Sequence, residues 1–300
     1  MRLQDLTSSR PATRIGIFIG RYTPRWLGYG LVRALSGMIA RQKPQIYRTV
    51  QANLRHILGP EADDATLHEM TRHVFSHAGQ TYYDFFHVID QPPEVLAGAV
   101  RIPETIVAFV RSEMARGQGV LLLGAHMSNF DLLGLSVGAR GLPIQMLSLA
   151  NPRAGFHLIN YLRAKAGYEI TPITPRSLRA AIRRLKSGGI VLTGMDRPIP
   201  EDRELIEFFG QLAYLPVGPV RLALMTGATV IMGSCYYEPD EGYALKATGP
   251  IEMIRTDDRR QDILTNARRL AAILEEHVRA HPEQWLMFHP FWPEQPGSGK

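Results

Sequence analysis

From residue 119 onward the chain sets short apolar runs between longer stretches of helical periodicity, and this alternation constrains the fold more than any other feature. GVLLLG (119–124), PIQMLSL (143–149), YEITPI (168–173), GIVLTGM (189–195) and ATVIMGSCYY (228–237) have the length and boundaries of buried strands. Between them lie helical stretches beginning near 130 and covering 154–166, RSLRAAIRRLKSG and 217–227. YALKATGPIEMI reads as further strand material, and 258–280 as a closing helix. Such alternation predicts an α/β fold with a mixed, mostly parallel central sheet flanked by helices. Three helical stretches come first, at about 24–42, 44–58 and from Asp63 or Asp64 to about 89. They predict an N-terminal helical cap over 1–100, joined without a linker to one continuous α/β domain over 101–300. Residues 1–13 are expected to be loose.

A chain of 300 residues, 45% hydrophobic, has ample material for a core. The single cysteine, Cys235, excludes an intramolecular disulfide framework and reads as a buried thiol inside a strand. No Cys/His cluster has zinc-ligand spacing, so no metal is expected. His68, His73, His77 and His87 are expected on the surface of the third helix. Net charge is +6 but uneven: residues 1–60 hold ten Lys/Arg against the one acid Asp5, and the remainder sums to −3. A basic end suits an anionic partner. WLGYGLVRALSGMIARQ (26–42) decides between partners, because it interleaves Leu27, Leu31, Leu35, Met38 and Ile39 with Arg25, Arg33 and Arg41, and starts at Trp26 and Tyr29. It reads as a basic amphipathic helix, either lying at an anionic membrane surface through Arg25, Trp26, Arg33 and Arg41 or packing on the core. No run approaches the roughly 20 apolar residues of a spanning helix. No nucleic-acid motif accompanies the charge, so nucleic acid is not expected as a partner.

GAHMSNFD (124–131) places a histidine and an acid between two apolar runs. With 10 histidines and 28 acids, roughly one His-x4-acid match arises by chance, and there are three: His56/Glu61, His126/Asp131 and His289/Glu294. Only His126 follows a short strand and opens a helix. Five residues along a helix turn about 500°, so the two side chains can meet only if His126 is in the loop and Asp131 at or just inside the helix. Ser128 and Asn129 are suitable N-caps for that break. In open α/β sheets ligands bind beyond the carboxyl ends of strands. His126 lies just past one strand, and Asp196 with Arg197 just past another, which predicts two polar clusters on one sheet edge.

Strand, GAHMSNFD, helix resembles the first motif of the lysophospholipid acyltransferase-like superfamily, in which a His-x4-Asp/Glu dyad transfers an acyl chain to a hydroxyl. RAKAG with Arg163, GGIVLTGMDR with Asp196 and Arg197, EFFGQLAYLPVGPVRLALMTGATVI, and HPEQWLMFHPFW resemble, in order, motifs of the lipid A biosynthesis acyltransferase family. The Asp-Arg pair, followed by Phe208-Phe209-Gly210 and LPVGP, is most similar to its phosphatidylinositol mannoside acyltransferase branch. The resemblance covers roughly residues 22–293. Two departures stand out: the spanning helix with which lipid A acyltransferases usually begin, and the Pro-Glu-Gly motif of glycerol-phosphate acyltransferases.

The resemblance implies a glycerolipid acyltransferase-like fold and an O-acyltransferase, peripheral at the cytoplasmic face of the cell membrane. It would move a fatty acyl chain from acyl-CoA or acyl carrier protein to a glycolipid hydroxyl, with no cofactor beyond that co-substrate. Chemistry supports the assignment of His126 as base, because a histidine titrating near neutrality suits removal of a hydroxyl proton. Asp131, accepting from the other ring nitrogen, would fix the tautomer. Asn129, Arg163, Asp196 and Arg197 are the expected substrate-binding residues, Asp196 at the polar head and Arg197 on Asp196 or an acceptor phosphate. Phe208 and Phe209 read as core, Trp285 and Trp292 as packing anchors. Two other readings compete: a serine esterase using GLSVG (134–138) as a nucleophile elbow, and a non-catalytic lipid-binding protein at the membrane surface.

Overall fold

The computed structural model describes residues 10–149, 154–165, 169–199 and 201–293. Four helices open it: α1 (Arg10–Tyr22), α2 (Arg25–Gln42), α3 (Gln45–Leu58) and α4 (Asp64–Val88). Residues 10–13, expected to be loose, form the first turn of α1; residues 1–9 lie outside the described residues. Pro24 and Pro44 occupy the N-cap positions of α2 and α3 in extended conformation, where a missing N–H costs nothing. Asp63 caps α4 by accepting from the Thr66 amide at 2.7 Å. Two shorter helices, α5 (Pro93–Gly98) and α6 (Glu104–Ala115), lead into the sheet and were not anticipated.

The sheet region runs β1 (Val120–Gly124), α7 (Phe130–Ala139), β2 (Ile144–Ser148), α8 (Ala154–Lys165), β3 (Glu169–Pro172), α9 (Pro175–Lys186) and β4 (Ile190–Gly194). A hairpin, β5 (Arg203–Phe208) and β6 (Gln211–Pro216), precedes α10 (Gly218–Thr226), β7 (Thr229–Glu238), β8 (Gly242–Ile251) and α11 (Arg259–Ala280). The six-stranded sheet has the order β3-β2-β4-β1-β7-β8, parallel except for β8. This is the mixed, mostly parallel sheet flanked by helices that the alternation predicts. The hairpin is an addition: Phe209 and Gly210, at φ 51° and 71°, form a two-residue turn in which both residues are left-handed. Phe208 is core, packed on Trp285, Phe291 and Trp292.

One apolar cluster runs from Tyr47, Val50 and Leu54 of α3 through Leu121 and Leu123 of β1 to Leu270 and Leu274 of α11, so cap and sheet share a core. Asn53 of α3 stitches the C-terminal segment to it. Its amide donates to the carbonyls of Met287 (3.0 Å) and His289 (2.8 Å), and its oxygen accepts from the Phe291 amide (3.2 Å).

α1 and α2 are arranged the other way round. They approach α4 through small residues: a Cβ on Gly28 would fall 2.1 Å from a Tyr83 ring carbon, and one on Gly20 2.6 Å from the Phe86 Cβ. The large apolar side chains point outward instead. Ile15, Phe18 and Tyr22 of α1 and Trp26, Leu27, Leu31, Leu35 and Met38 of α2 are exposed, Trp26 to 73%. Each would gain about 1.5–3 kcal/mol from full burial, so an outward row of eight is a large apolar surface left exposed. α2 thus packs on the core through its small residues and leaves its large apolar residues exposed. No helix among the described residues is long and apolar enough to cross a membrane.

Candidate active site

Strand register brings the two polar clusters together. Gly124 at the end of β1 pairs with Gly194 at the end of β4, so His126 and Asp196 each stand two residues beyond a matched pair. From β1 the chain leaves toward β2, and from β4 toward β7 on the other side, the arrangement in which open α/β sheets form a ligand crevice at the strand ends. Asp196 is 0% exposed. Its Oδ1 accepts from His126 Nδ1 at 2.6 Å; its Oδ2 accepts from the His126 amide at 2.8 Å and from Trp285 Nε1 at 2.9 Å. A Cβ at Gly194 would lie in ordinary contact with His126 Cε1, at 3.4 Å, so β4 passes directly beside the ring. The Phe130 ring meets the imidazole edge-on, with centroids 4.8 Å apart.

The charges sort cleanly. Burial raises the Asp196 carboxyl, but the charge and hydrogen bonds of His126 together with Arg197 overcome it and hold the group down at about 2. Burial and then the Arg197 charge push His126 below the ordinary histidine range, against the opposing pull of Asp196 and Asp131. At neutral pH the ring is therefore neutral. Its proton sits on Nδ1, facing the carboxylate, and Nε2 keeps a free lone pair. The side chain is 19% exposed, enough for a substrate hydroxyl to reach it. A neutral histidine with a fixed tautomer has the chemistry a general base requires.

The expected residues fall into place unevenly. Asp131 is the second residue of α7, as the spacing argument required, but its carboxylate accepts from Arg163 Nη2 and not from the imidazole. Asp196 takes the orienting place, and Asp131 acts on the ring through its charge. Asp196, expected at a substrate head group, has both oxygens committed to protein donors. Asn129 is likewise corrected: its oxygen caps α7 by accepting from the Leu132 amide (3.2 Å) and its nitrogen donates to the Thr81 carbonyl (3.0 Å), so it shapes the turn from a buried position. Arg163 also donates to Asn160 at 2.8 Å. Arg197 reaches the Leu286 carbonyl at 3.4 Å and makes no hydrogen bond to Asp196 among the described residues. Arg25, Trp26, Arg33 and Arg41 are all exposed on α2, remote in sequence from this cluster.

Several competing features dissolve. His56 stacks on Trp292 at 4.3 Å, and Glu294, partner of His289 by spacing, lies outside the described residues. Ser136 sits inside α7, fully buried, and donates to the Ala97 carbonyl at 2.8 Å, which is not the strand–turn–helix apex of an elbow. Cys235 is buried and its thiol is pushed up to about 12 by that burial. His77 is not a surface residue: it is buried, its Nε2 2.9 Å from the Ser128 hydroxyl, while Ser128 holds the turn at φ 47°. Two members of the site were missed. Trp285, read only as packing, also bonds Asp196. Tyr82 of α4 feels the charges of Asp131, Arg197 and Arg163, although burial is the main reason its phenol is raised. One signal was available: Gly124-Ala125-His126 and Gly194-Met195-Asp196 share the same offset after their strands. Trp285 has no comparable mark.

The family model for bacterial lipid A biosynthesis acyltransferases matches residues 12–294. The phosphatidylinositol mannoside acyltransferase of Mycobacterium tuberculosis (strain CDC 1551 / Oshkosh) is 25% identical over 183 residues, which are 60% of this chain and 56% of that protein. The protein of the same name from Mycolicibacterium smegmatis is 23% identical over 185 residues, 60% of this chain and 59% of its own. The chain thus spans little more than half the length of these relatives.

Proposed function

Because the chain belongs to the bacterial lipid A biosynthesis acyltransferase family, we propose that it moves a fatty acyl chain from acyl-CoA or acyl carrier protein to a glycolipid hydroxyl. The observation that carries this reading is the neutral His126, tied through Nδ1 to a buried carboxylate and partly open to the crevice. Nε2 takes the proton of the acceptor hydroxyl as its oxygen bonds to the thioester carbonyl carbon. The C–S bond then breaks, and the imidazolium returns the proton to the leaving thiolate, giving an ester and a free thiol. Asp196 holds the tautomer and, with Asp131, stabilises the transient imidazolium. Arg163, fixed on Asp131, and Arg197 would face the polar parts of the substrates. A sugar hydroxyl is the acceptor we infer, since both relatives are named for a mannoside lipid.

Residues 1–100 would form the membrane-associating region and 101–300 the acyltransferase core, peripheral at the cytoplasmic face. The outward apolar row of α1 and α2, with Arg25, Arg33 and Arg41 beside it, supports this. Binding to anionic vesicles should fall in high salt and on charge reversal at those arginines. Retention that only detergent releases would mean insertion instead.

The test of activity uses purified full-length chain with acyl-CoA and acyl carrier protein donors and a mannosylated phosphatidylinositol acceptor. An acceptor-dependent ester product, one acyl chain heavier, is expected together with thiol release. Thiol release that ignores the acceptor, or product formation that survives His126→Ala, would overturn the reading.

A further inference from the structure

We propose that Arg197 takes up the negative charge of the tetrahedral intermediate, making it a second catalytic residue beside His126. The inference rests on the acyl-transfer reading above and adds what that reading leaves open, the group that receives the oxyanion.

Backbone amides at a helix start usually serve this purpose. Here three of those near the imidazole are committed. The His126 N–H is on Asp196, the Ser128 N–H is on the Gln284 carbonyl at 2.7 Å, and the Asn129 N–H points to the Cys235 sulfur. Arg197 stands in contrast. Its Nε is buried and has no hydrogen-bond partner, and its one described bond is the long one from Nη2 to Leu286. The two acids that might neutralise it are occupied, Asp196 by His126 and Trp285, Asp131 by Arg163. Buried charges are normally paired, because an unpaired one gives up its hydration for nothing. Arg197 is half-buried, and Asp196 and Asp131 act on it through charge without a hydrogen bond, so its guanidinium keeps donors that an anion could take up.

Its position fits that anion to the reaction. Leu286 ties Arg197 to the base: its N–H donates to the His126 carbonyl at 2.8 Å while its own carbonyl accepts from Arg197. A fixed cation beside a general base opposes proton uptake, so its presence there calls for compensation. Acyl transfer supplies one. The proton reaches Nε2 as a negative charge appears on the thioester oxygen, and the guanidinium offsets that new charge at the moment it forms. Before the reaction burial, helped by the same cation, keeps the imidazole in its neutral, basic form. Arg163 also has a buried Nε without a partner, but its charge is paired with Asp131, and Asp131 and Asn160 hold its two terminal nitrogens.

The test is steady-state kinetics of the full chain with a long-chain acyl-CoA and a mannosylated phosphatidylinositol, comparing wild type, Arg197→Lys, Arg197→Gln and Arg197→Ala, with thermal melts of each. Loss of the donor should lower kcat about 10²–10³-fold, with KM for both substrates within a few-fold. Millimolar guanidinium should restore part of the rate to Arg197→Ala and none to His126→Ala. Without the cation the base also becomes stronger, so the acid limb of the kcat/KM profile should move to higher pH; Arg197→Lys should keep that limb while losing most of kcat. A raised KM with unchanged kcat would assign Arg197 to an anion of the bound substrate, such as an acceptor phosphate, and overturn the proposal. So would wild-type rates in a folded Arg197→Gln. If wild type itself transfers no acyl group from either donor, the functional reading fails, whatever Arg197 does.

Discussion

Two histidines flank the same sheet with opposite equipment. His277 of α11 is 1% exposed, its Nδ1 2.8 Å from the Ser234 hydroxyl and its Nε2 3.0 Å from that of Thr248. Burial, helped by Lys246, brings its pKa down to about 4. His126 is also pushed down by burial, but it faces two carboxylates and one cation and keeps a ring edge open. Burial alone makes a histidine neutral. Only the carboxylates let it accept a proton and give it back, so the neighbours and not the depth separate a structural histidine from a base.

The largest effect should come from exchanging their fates. His126→Ala is expected to lower kcat/KM by about 10²–10⁴-fold, the usual contribution of a positioned general base, with little loss of folding. His277→Ala should leave turnover within a few-fold but lower the melting temperature, because two hydroxyls lose their ring partner. Parallel rate assays and melts decide it. A dead but stable His277→Ala would erase the contrast.

The two carboxylates come next. Asp196→Asn leaves an amide free to hold the ring in the wrong tautomer, and should cost about 10²–10³-fold in kcat. Asp131→Asn removes only a charge acting at a distance, and about a tenfold loss is expected, with a lower melt as buried Arg163 loses its anion. His126 and Asp196 act as a unit, so the double variant should be hardly slower than His126→Ala. Equal losses at 131 and 196 would restore the His-x4-Asp pair as the working dyad.

That contrast also marks where the sequence was legible. Strand and helix alternation showed the sheet because the runs of β1, β2 and β4 are largely buried on both faces, unlike the edge strand β3, and a period of that kind survives in the string of residues. Helix ends were legible at Asp63 and at Pro24 and Pro44, where local chemistry stops or starts the backbone. The Phe209-Gly210 hairpin was hidden, since its left-handed phenylalanine has no turn signature and its strands read as part of a motif. The site was half visible. A spacing rule sees residues five apart, whereas the bond that orients His126 spans 70 positions and exists only through strand register. Trp285, 89 positions from Asp196, is further out of reach of any local pattern.

Acid separates the two histidine environments by stability. His77 and His277 titrate at about 4 in the folded chain, against about 6.5 when unfolded. The unfolded chain therefore binds protons first as pH falls. Stability is complete above about 6.5 and declines toward 4, by on the order of 3 kcal/mol for each histidine, near a hundredfold in the folding equilibrium. Denaturant melts across that window should show the decline, and His277→Leu should flatten it by about half. An unchanged slope in His277→Leu would mean that its burial does not set the acid limit.

The smallest expected effect is at Ser136, and it tests whether a second catalytic centre exists beside the first. Ser136 is fully buried in the middle of α7, donating to the Ala97 carbonyl and accepting from Arg140 Nη1 at 2.7 Å. The first of those bonds joins α7 to α5. Its hydroxyl resembles those that serve His277, a group whose hydrogen-bonding capacity is spent within the fold. A nucleophilic serine needs the reverse: an exposed oxygen on a sharp turn with an adjacent base. Ser136→Ala should then keep kcat and KM within a few-fold while lowering stability by about 1 kcal/mol for the lost hydrogen bonds. Acyl transfer and hydrolysis of a soluble ester, measured on the same preparation, separate the possibilities. Loss of ester hydrolysis in Ser136→Ala, with transfer by His126 intact, would show that the elbow is used after all and that burial in this helix is not permanent.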